Sequence, residues 1–272
     1  MDQVAEAYNK DPEREWQRLV RDPYHSLEFL VTMHHLRKHL PPPGKILDAG
    51  GGPGRYALEL CRAGYEVILL DLSYGNISLA KEKFQSQPQA VQKQLLEFVV
   101  GDIRDLSRFE SKSFEAVLCL DPLSYLSQKA DRIQAAAELV RITKSDGVVC
   151  LSGRGYLAVL RTILLIANDD FLKPSFATFL GTGNIPIQGS MVHFFRADEL
   201  RQLAESCGLA TLAMAGCEGL SSNLIEATNV LHQDEEKWNR WVELALQTST
   251  EPAVVDMAEH ILYIGRVSGS AL

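Results

Sequence analysis

With 272 residues, 46% of them hydrophobic, the chain has enough apolar side chains for one well-buried α/β domain carrying insertions. Its net charge of −8 argues against a generally basic surface for nucleic acid or anionic membrane, leaving room only for a local basic patch. The five cysteines, Cys61, Cys119, Cys150, Cys207 and Cys217, are odd in number and form no C-x-x-C pair, which excludes a disulfide framework and a thiolate zinc site. The longest strongly apolar run outside the strands, residues 157–167, contains Arg161 and falls short of the roughly 20 residues of a membrane span. No apolar signal-peptide core follows Met1, so the expectation is a cytoplasmic protein without a membrane partner.

Residues 12–40 read as two helices broken at Asp22-Pro23, with Phe29, Met33, Leu36 and Leu40 at helical spacing and Pro41-Pro42-Pro43-Gly44 as the stop. A strand at 45–48 then runs straight into glycines. A helix at 55–63, closed by Gly64, leads to a strand at 65–71, and a helix at about 76–84 leads to strands at 96–100 and 114–120. A further helix at 131–142 precedes a fifth strand at 147–151. This alternation predicts right-handed crossovers and a parallel sheet with helices on both faces.

The regular pattern then stops. Residues 154–194 separate the fifth strand from a helix at 197–207; a strand at 210–215, a helix near 238–246 and a strand at 260–267 follow. Insertions placed after a regular core tend to shape a site. The chain is therefore read as a single domain over 1–272, with a helical N-terminal lid (1–44), a core (45–153), a substrate-side insertion (154–195) and a C-terminal part of the sheet with its own helical insertion (196–272).

Asp48-Ala49-Gly50-Gly51-Gly52-Pro53-Gly54 lies where the first strand turns into the first helix. Glycines there let a ligand approach the backbone, and the following helix N-terminus offers amides. Gly52-Pro53-Gly54-Arg55-Tyr56-Ala57 also satisfies G-x-G-x-x-A, with Asp71 roughly 20 residues on, as in dinucleotide-binding folds. Tyr125-Leu126-Ser127-Gln128-Lys129 spells the Y-x-x-x-K of short-chain dehydrogenases but stands too early in the chain for that family. An NAD(P)-dependent oxidoreductase is thus one alternative.

Three features favour another reading. Asp48 makes the loop D-x-G-x-G-x-G, Gly101-Asp102-Ile103 puts a carboxylate at the end of the third strand, and two strands follow the fifth. The chain resembles class I S-adenosylmethionine (SAM) dependent methyltransferases, strongly over 24–153 and more loosely beyond. The resemblance implies a Rossmann-like, seven-stranded, mostly parallel sheet with insertions after strands 5 and 6, and SAM as cofactor. It assigns Asp48, Gly50, Gly51 and Gly52 to the cofactor loop, Asp71 and Leu72 to the ribose, Asp102 and Ile103 to the adenine edge, Leu120 and Asp121 to the methyl end, and Tyr24 to the methionine carboxylate. Asp121-Pro122-Leu123-Ser124 resembles the D/N-P-P-Y motif of amino methyltransferases but lacks its second proline and aromatic, so no amide acceptor is inferred from it.

His193 is the candidate general base; no metal is expected, because His35 and His39 at i, i+4 lack a third ligand and read as a solvated helix face. The expected acceptor is a small molecule with an apolar body, held between lid and insertion by Tyr156, Leu157, Leu160, Leu164, Phe171, Phe176 and Phe179. The pattern also resembles tRNA methyltransferases that esterify a modified wobble uridine. Residues 1–45 carry seven basic and seven acidic side chains, so the lid presents no net positive field for tRNA. A SAM-binding subunit without catalysis is the remaining alternative.

Overall fold

A computed structural model describes residues 2–187 and 189–268. Three N-terminal helices, α1 (Asp2–Lys10), α2 (Pro12–Arg18) and α3 (Pro23–His39), precede the sheet. Asp11 and Asp22 accept the backbone N–H of Arg14 and His25 respectively, and each is followed by a proline at the first helical position. Two caps in this short stretch explain why the chain breaks into separate helices. The break at Asp22-Pro23 is as read from sequence; α1 is an additional helix, with Val4, Ala5 and Tyr8 on one side.

The core follows as β1 (Lys45–Ala49), α4 (Arg55–Arg62), β2 (Glu66–Asp71), α5 (Tyr74–Gln85), the short α6 (Gln89–Gln92), β3 (Leu95–Val100), β4 (Phe114–Leu120), α7 (Lys129–Ile142) and β5 (Thr143–Arg154). The insertion after β5 holds α8 (Tyr156–Ile166), α9 (Pro174–Thr182) and a hairpin of β6 (Asn184–Ile187) and β7 (Ser190–His193). Then come α10 (Ala197–Ser206), β8 (Leu209–Gly216), a second insertion of α11 (Ile225–Leu231), α12 (Glu235–Thr248) and α13 (Pro252–Met257), and finally β9 (His260–Val267). No described helix is long and apolar enough to cross a membrane.

The seven-stranded sheet has the order β3-β2-β1-β4-β5-β9-β8, with β9 antiparallel to both neighbours and the other pairings parallel. Side chains alternate across it, as the period of two requires. Leu47 and Ala49 join one core with Ala135, Leu139, Leu200 and Ala204 from α7 and α10, whereas Ile46 joins the other with Leu36, Leu60, Ile77 and Ala80 from α3, α4 and α5. The sheet thus carries helices on both faces, as the alternation predicts. All parallel strands end on one edge, and the order reverses between β1 and β4, which places a crevice above the end of β1.

The insertion's aromatic residues do not face that crevice. Tyr156 stacks on Phe179 at 4.9 Å, with Phe194 and Phe176 against the same cluster, while Leu164 is 59% exposed. They build a small core of their own and so do not form the apolar acceptor wall expected of them.

Candidate functional site

The loop after β1 is shaped by backbone sterics. Gly50, Gly52 and Gly54 have φ of +78°, +58° and +84°, a region that L side chains enter only at a cost. A Cβ on Gly50 would lie 2.1 Å from Pro122 Cγ, whereas one on Gly52 would meet nothing closer than 3.6 Å. Gly50 therefore lets the loop pass the turn at Pro122 that follows β4, and Gly52 leaves space above itself. That space belongs to a cleft that Asp48, Gly50, Gly51, Gly52, Asp71, Leu72, Asp102, Ile103, Leu120 and Asp121 all line. Ten of the eleven residues assigned to the cofactor by sequence are brought together there.

Asp48 shares the α4–α5 face with Ile46 and is 1% exposed, and neither of its carboxylate oxygens has a hydrogen-bond partner. Burial, helped by the nearby charge of Asp71, pushes its pKa up to about 7. A buried, unpaired carboxylate is costly on its own and becomes favourable once a cation meets it.

Asp71 is better supplied. Its Oδ2 accepts from the Gly52 amide at 2.8 Å, and its Oδ1 from the Ser73 amide at 2.8 Å and Asn76 Nδ2 at 3.1 Å. Burial raises its pKa and these donors only partly offset the rise. The helix cap of α5 is Ser73, so Asp71 ties the glycine loop to β2 rather than capping a helix. Asp102 accepts from the Arg104 amide at 2.9 Å and from its guanidinium at 2.6 Å; burial pushes its pKa up, but Arg104 outweighs that and holds it below the usual carboxylate range. It caps its turn while lining the cleft.

The lid closes the cleft through polar contacts. Asn9 Oδ1 accepts from Ser73 Oγ at 2.7 Å and the Gly75 amide at 2.9 Å, and Arg55 donates to the Trp16 carbonyl while lying 4.0 Å over its ring. Tyr8 and Tyr125 share a hydrogen bond of 2.6 Å; Arg154 donates to Tyr125 at 2.7 Å and to Asp121 Oδ2 at 3.0 Å. Asp121 itself has φ +80°, an uncommon conformation for a non-glycine residue. Tyr8, Asn9, Asn76 and Arg154 were not singled out from the sequence. Only Arg154, ending a strand at the sheet's functional edge, carried a positional signal.

Beyond Arg154 lies a second chamber, between lid and insertion, which shares Tyr8, Glu15, Arg18, Tyr125 and Arg154 with the cleft. Tyr24 lines this chamber and not the glycine-loop cleft; its ring is 1% exposed and its hydroxyl accepts the Asn223 amide at 3.0 Å. His193 reaches neither space. Its Nδ1 meets Asn184 Oδ1 and its Nε2 meets Glu199 Oε1, each at 2.9 Å, so no ring nitrogen is left to take a substrate proton. His35 is 2% exposed and bonded through Nε2 to Ser249 Oγ at 3.0 Å, so the His35–His39 face is covered rather than solvated. Both histidines were misplaced because their partners are remote or follow in hairpin order, which no local pattern reports.

The methyltransferase domain family matches residues 47–151, the stretch that carries the glycine loop and all three strand-end carboxylates. By that match residues 47–151 form a methyltransferase domain, and the sheet around them has the fold of S-adenosylmethionine-dependent methyltransferases. The chain is similar to the glycine/sarcosine N-methyltransferase of Aphanothece halophytica, at 30% identity over 43% of this chain and 42% of that one. It is also similar to the ubiquinone biosynthesis O-methyltransferase of Xanthomonas campestris pv. campestris (strain B100), at 26% over 61% and 72%. The first curated relatives are thus matched over about two fifths of their length. A SAM-dependent methyltransferase structure from Methanosarcina mazei superposes with a TM-score of 0.61 at 20% identity, covering 87% of this chain and 98% of that one. The sheet order and the methyltransferase-domain match over residues 47–151 together displace the NAD(P) oxidoreductase alternative.

The residues present fit the family's cofactor. Unpaired, buried Asp48 suits an ammonium group, and the open space over Gly52 suits a group lying on the loop. Asp71 and Asp102 stand farther along the same cleft, at successive strand ends.

Proposed function

We propose that the chain transfers a methyl group from SAM to a small organic acceptor bound in the chamber between lid and insertion. The observation that carries this reading is Asp48, a carboxylate buried without a partner beneath a cleft whose other walls match the family's cofactor loop. In that cleft Asp48 would hold the methionine ammonium, Asp71 the ribose hydroxyls, and Asp102 with the Ile103 amide the adenine edge, with Leu72 beside them. Leu120 and Asp121 would flank the methyl end. SAM supplies a methyl group already activated on a sulfonium. The protein's own work is to orient donor and acceptor in line and to exclude water, which the Tyr8–Tyr125 and Asn9 contacts do by closing the lid.

The acceptor reading changes with the chamber's lining. Its walls pair Arg14, Arg18, Arg21, Arg154 and His260 with Asp11, Glu15, Glu28, Glu218 and Glu259, and Ala158, Val159, Ile187, Val192 and Phe194 add apolar surface from the insertion side. Such a chamber suits a small molecule with both a polar group and an apolar part. The similarity to a glycine/sarcosine N-methyltransferase and a ubiquinone biosynthesis O-methyltransferase supports a small-molecule acceptor.

Calorimetry with S-adenosylhomocysteine, SAM, NADH and NADPH tests the cofactor half, with binding expected for the first two alone. Radiolabelled SAM offered to total tRNA and to a small-metabolite extract, at low and high salt, tests the acceptor half. Salt-sensitive labelling of tRNA with none of the extract replaces the small acceptor by the wobble uridine; binding without any transfer indicates a non-catalytic SAM-binding subunit.

A further inference from the structure

Along the functional edge of the sheet, three neighbouring strands place charged side chains in a row. Asp121 follows β4, Arg154 ends β5, and His260, which begins β9, lies directly opposite Arg154 in the antiparallel register. Directly opposed residues project to the same side of a sheet. Arg154 reaches back to Asp121, so the row runs from the cofactor cleft into the second chamber.

His260 is held as a base would be. Its Nδ1 lies 2.5 Å from Glu218 Oε1, and its backbone N–H donates to Glu218 Oε2 at 3.0 Å, so one carboxylate fixes both ring and backbone. Glu218 is 1% exposed. The other ring nitrogen, Nε2, has no protein partner among the described residues, and the ring lines the chamber. Glu28 Oε2 stands 3.5 Å from Nδ1, but Arg18 takes both Glu28 oxygens, at 2.6 and 3.1 Å. Glu28, Glu218 and His260 lie close enough together to hold a cation, yet the guanidinium already fills that role.

We infer that His260, oriented by Glu218, is the proton acceptor on the acceptor side of the reaction, and that the acceptor is a hydroxyl or an amine that binds protonated. This rests on the methyl-transfer reading and deepens it. In the step, Nε2 takes the proton of the acceptor hydroxyl or ammonium, and the electron pair so freed on oxygen or nitrogen bonds to the methyl carbon. The carbon–sulfur bond breaks and its electron pair stays on sulfur to give S-adenosylhomocysteine; the imidazolium carries the proton's charge and later releases it to solvent, and with an amine the sulfonium's charge remains on the methylated nitrogen.

The surroundings favour this class of acceptor. Burial would lower the pKa of His260, but Glu28 and Glu218 outweigh it and raise it to about 9, with Arg18 opposing them. Arg154 from β5, Glu259 beside it in the chain, and Tyr24 and His25 from α3 also face the chamber. A base of that strength matches phenols and amines, whose ordinary pKa is about 10. A carboxylate acceptor is already ionised and needs no base.

The test follows the histidine Cε1–H resonances by NMR from pH 5 to 10, in the full chain loaded with S-adenosylhomocysteine, alongside methylation of a panel of simple phenols, primary and secondary amines and carboxylates. His260, assigned by loss of its signal in His260→Gln, is expected to titrate well above 6.5 and to fall by at least one pH unit in Glu218→Gln. Methylation of phenols or amines should rise with pH toward 9, lose that limb in His260→Gln and drop roughly 100-fold or more. An ordinary titration of His260, preferential methylation of carboxylates, or an unchanged pH limb in His260→Gln overturns the proposal. Where no panel compound turns over, the titration decides alone. Failure to bind S-adenosylhomocysteine instead removes the methyl-transfer reading itself.

Discussion

The glycine loop on one side of Arg154 and the charged chamber on the other are held by different forces. The loop's shape follows from backbone conformation: three glycines at positive φ, one of them in contact with Pro122, and a carboxylate that ties the loop to β2. The chamber's shape follows from side chains that neutralise one another, Arg18 with Glu28, His260 with Glu218 and Arg154 with Asp121. The first arrangement has almost no freedom in residue type, so it can recognise one invariant molecule. The second can be rewritten by exchanging charges, which suits the side of an enzyme family where acceptors differ.

The comparison is broken most severely at Gly50. Gly50→Ala puts a methyl group 2.1 Å from Pro122 Cγ at a φ of +78°. Overpacking and backbone strain together should destabilise the fold by about 3 kcal/mol, and S-adenosylhomocysteine binding should vanish. Urea denaturation and calorimetry check this. An Ala variant of ordinary stability would show that the loop can move, and that sterics do not define it.

Asp71→Ala comes next. It removes the acceptor of the Gly52, Ser73 and Asn76 hydrogen bonds as well as the expected ribose contact. Cofactor binding should weaken by about 2 kcal/mol, and the melting temperature should fall too, because buried donors are left unpaired. Normal binding by the folded fraction would reduce Asp71 to a structural tie.

Asp48→Asn separates stability from binding. Since the folded pKa of Asp48 is raised to about 7 against an ordinary value of 3.8, its contribution to stability is fully present below about pH 4 and is lost as pH rises through 7. The Asn variant should therefore be more stable than the parent at pH 8, by about 2 kcal/mol as an order of magnitude, yet bind SAM more weakly. In the parent, cofactor affinity should grow as Asp48 ionises. Thermal melts at pH 5 and pH 8, with and without S-adenosylhomocysteine, read both effects. A variant that loses stability at pH 8 and keeps its affinity would contradict the role given to this carboxylate.

These contrasts also explain what could be read in advance. Asp48, the glycines, Asp71 and Asp102 stand at strand ends, where position in the alternating pattern already fixes their place at the sheet's edge, and β4 and β9 were bounded as observed. The fifth strand was read short because its first residues, Lys144-Ser145-Asp146, are polar and exposed. Tyr24 and His193 went elsewhere because Asn223, Asn184 and Glu199 claim their polar atoms. The Glu218–His260 pair joins residues 42 apart, and Arg18 and Glu28 come from the distant N-terminal helices. Tertiary packing assembles that cluster, and no spacing rule announces it.

The smallest effect is expected at the lid, where both kinds of force meet. Tyr8→Phe removes the hydroxyl that bonds Tyr125 at 2.6 Å, a link in the row that continues through Arg154 to Asp121, and leaves the ring in edge contact with Tyr125 at 5.8 Å. Asn9 still anchors α1 to Ser73 and Gly75. One hydrogen bond of net value about 1 kcal/mol is lost, so global stability should barely change while α1 opens more often and its amides exchange faster with solvent. Affinity for S-adenosylhomocysteine should fall several-fold at most. Hydrogen exchange followed by mass spectrometry locates the change, and calorimetry measures its consequence. If Tyr8→Phe instead weakened the cofactor as much as Asp71→Ala does, without faster exchange in α1, Tyr8 would be a direct ligand and the lid would belong with the glycine loop rather than with the chamber.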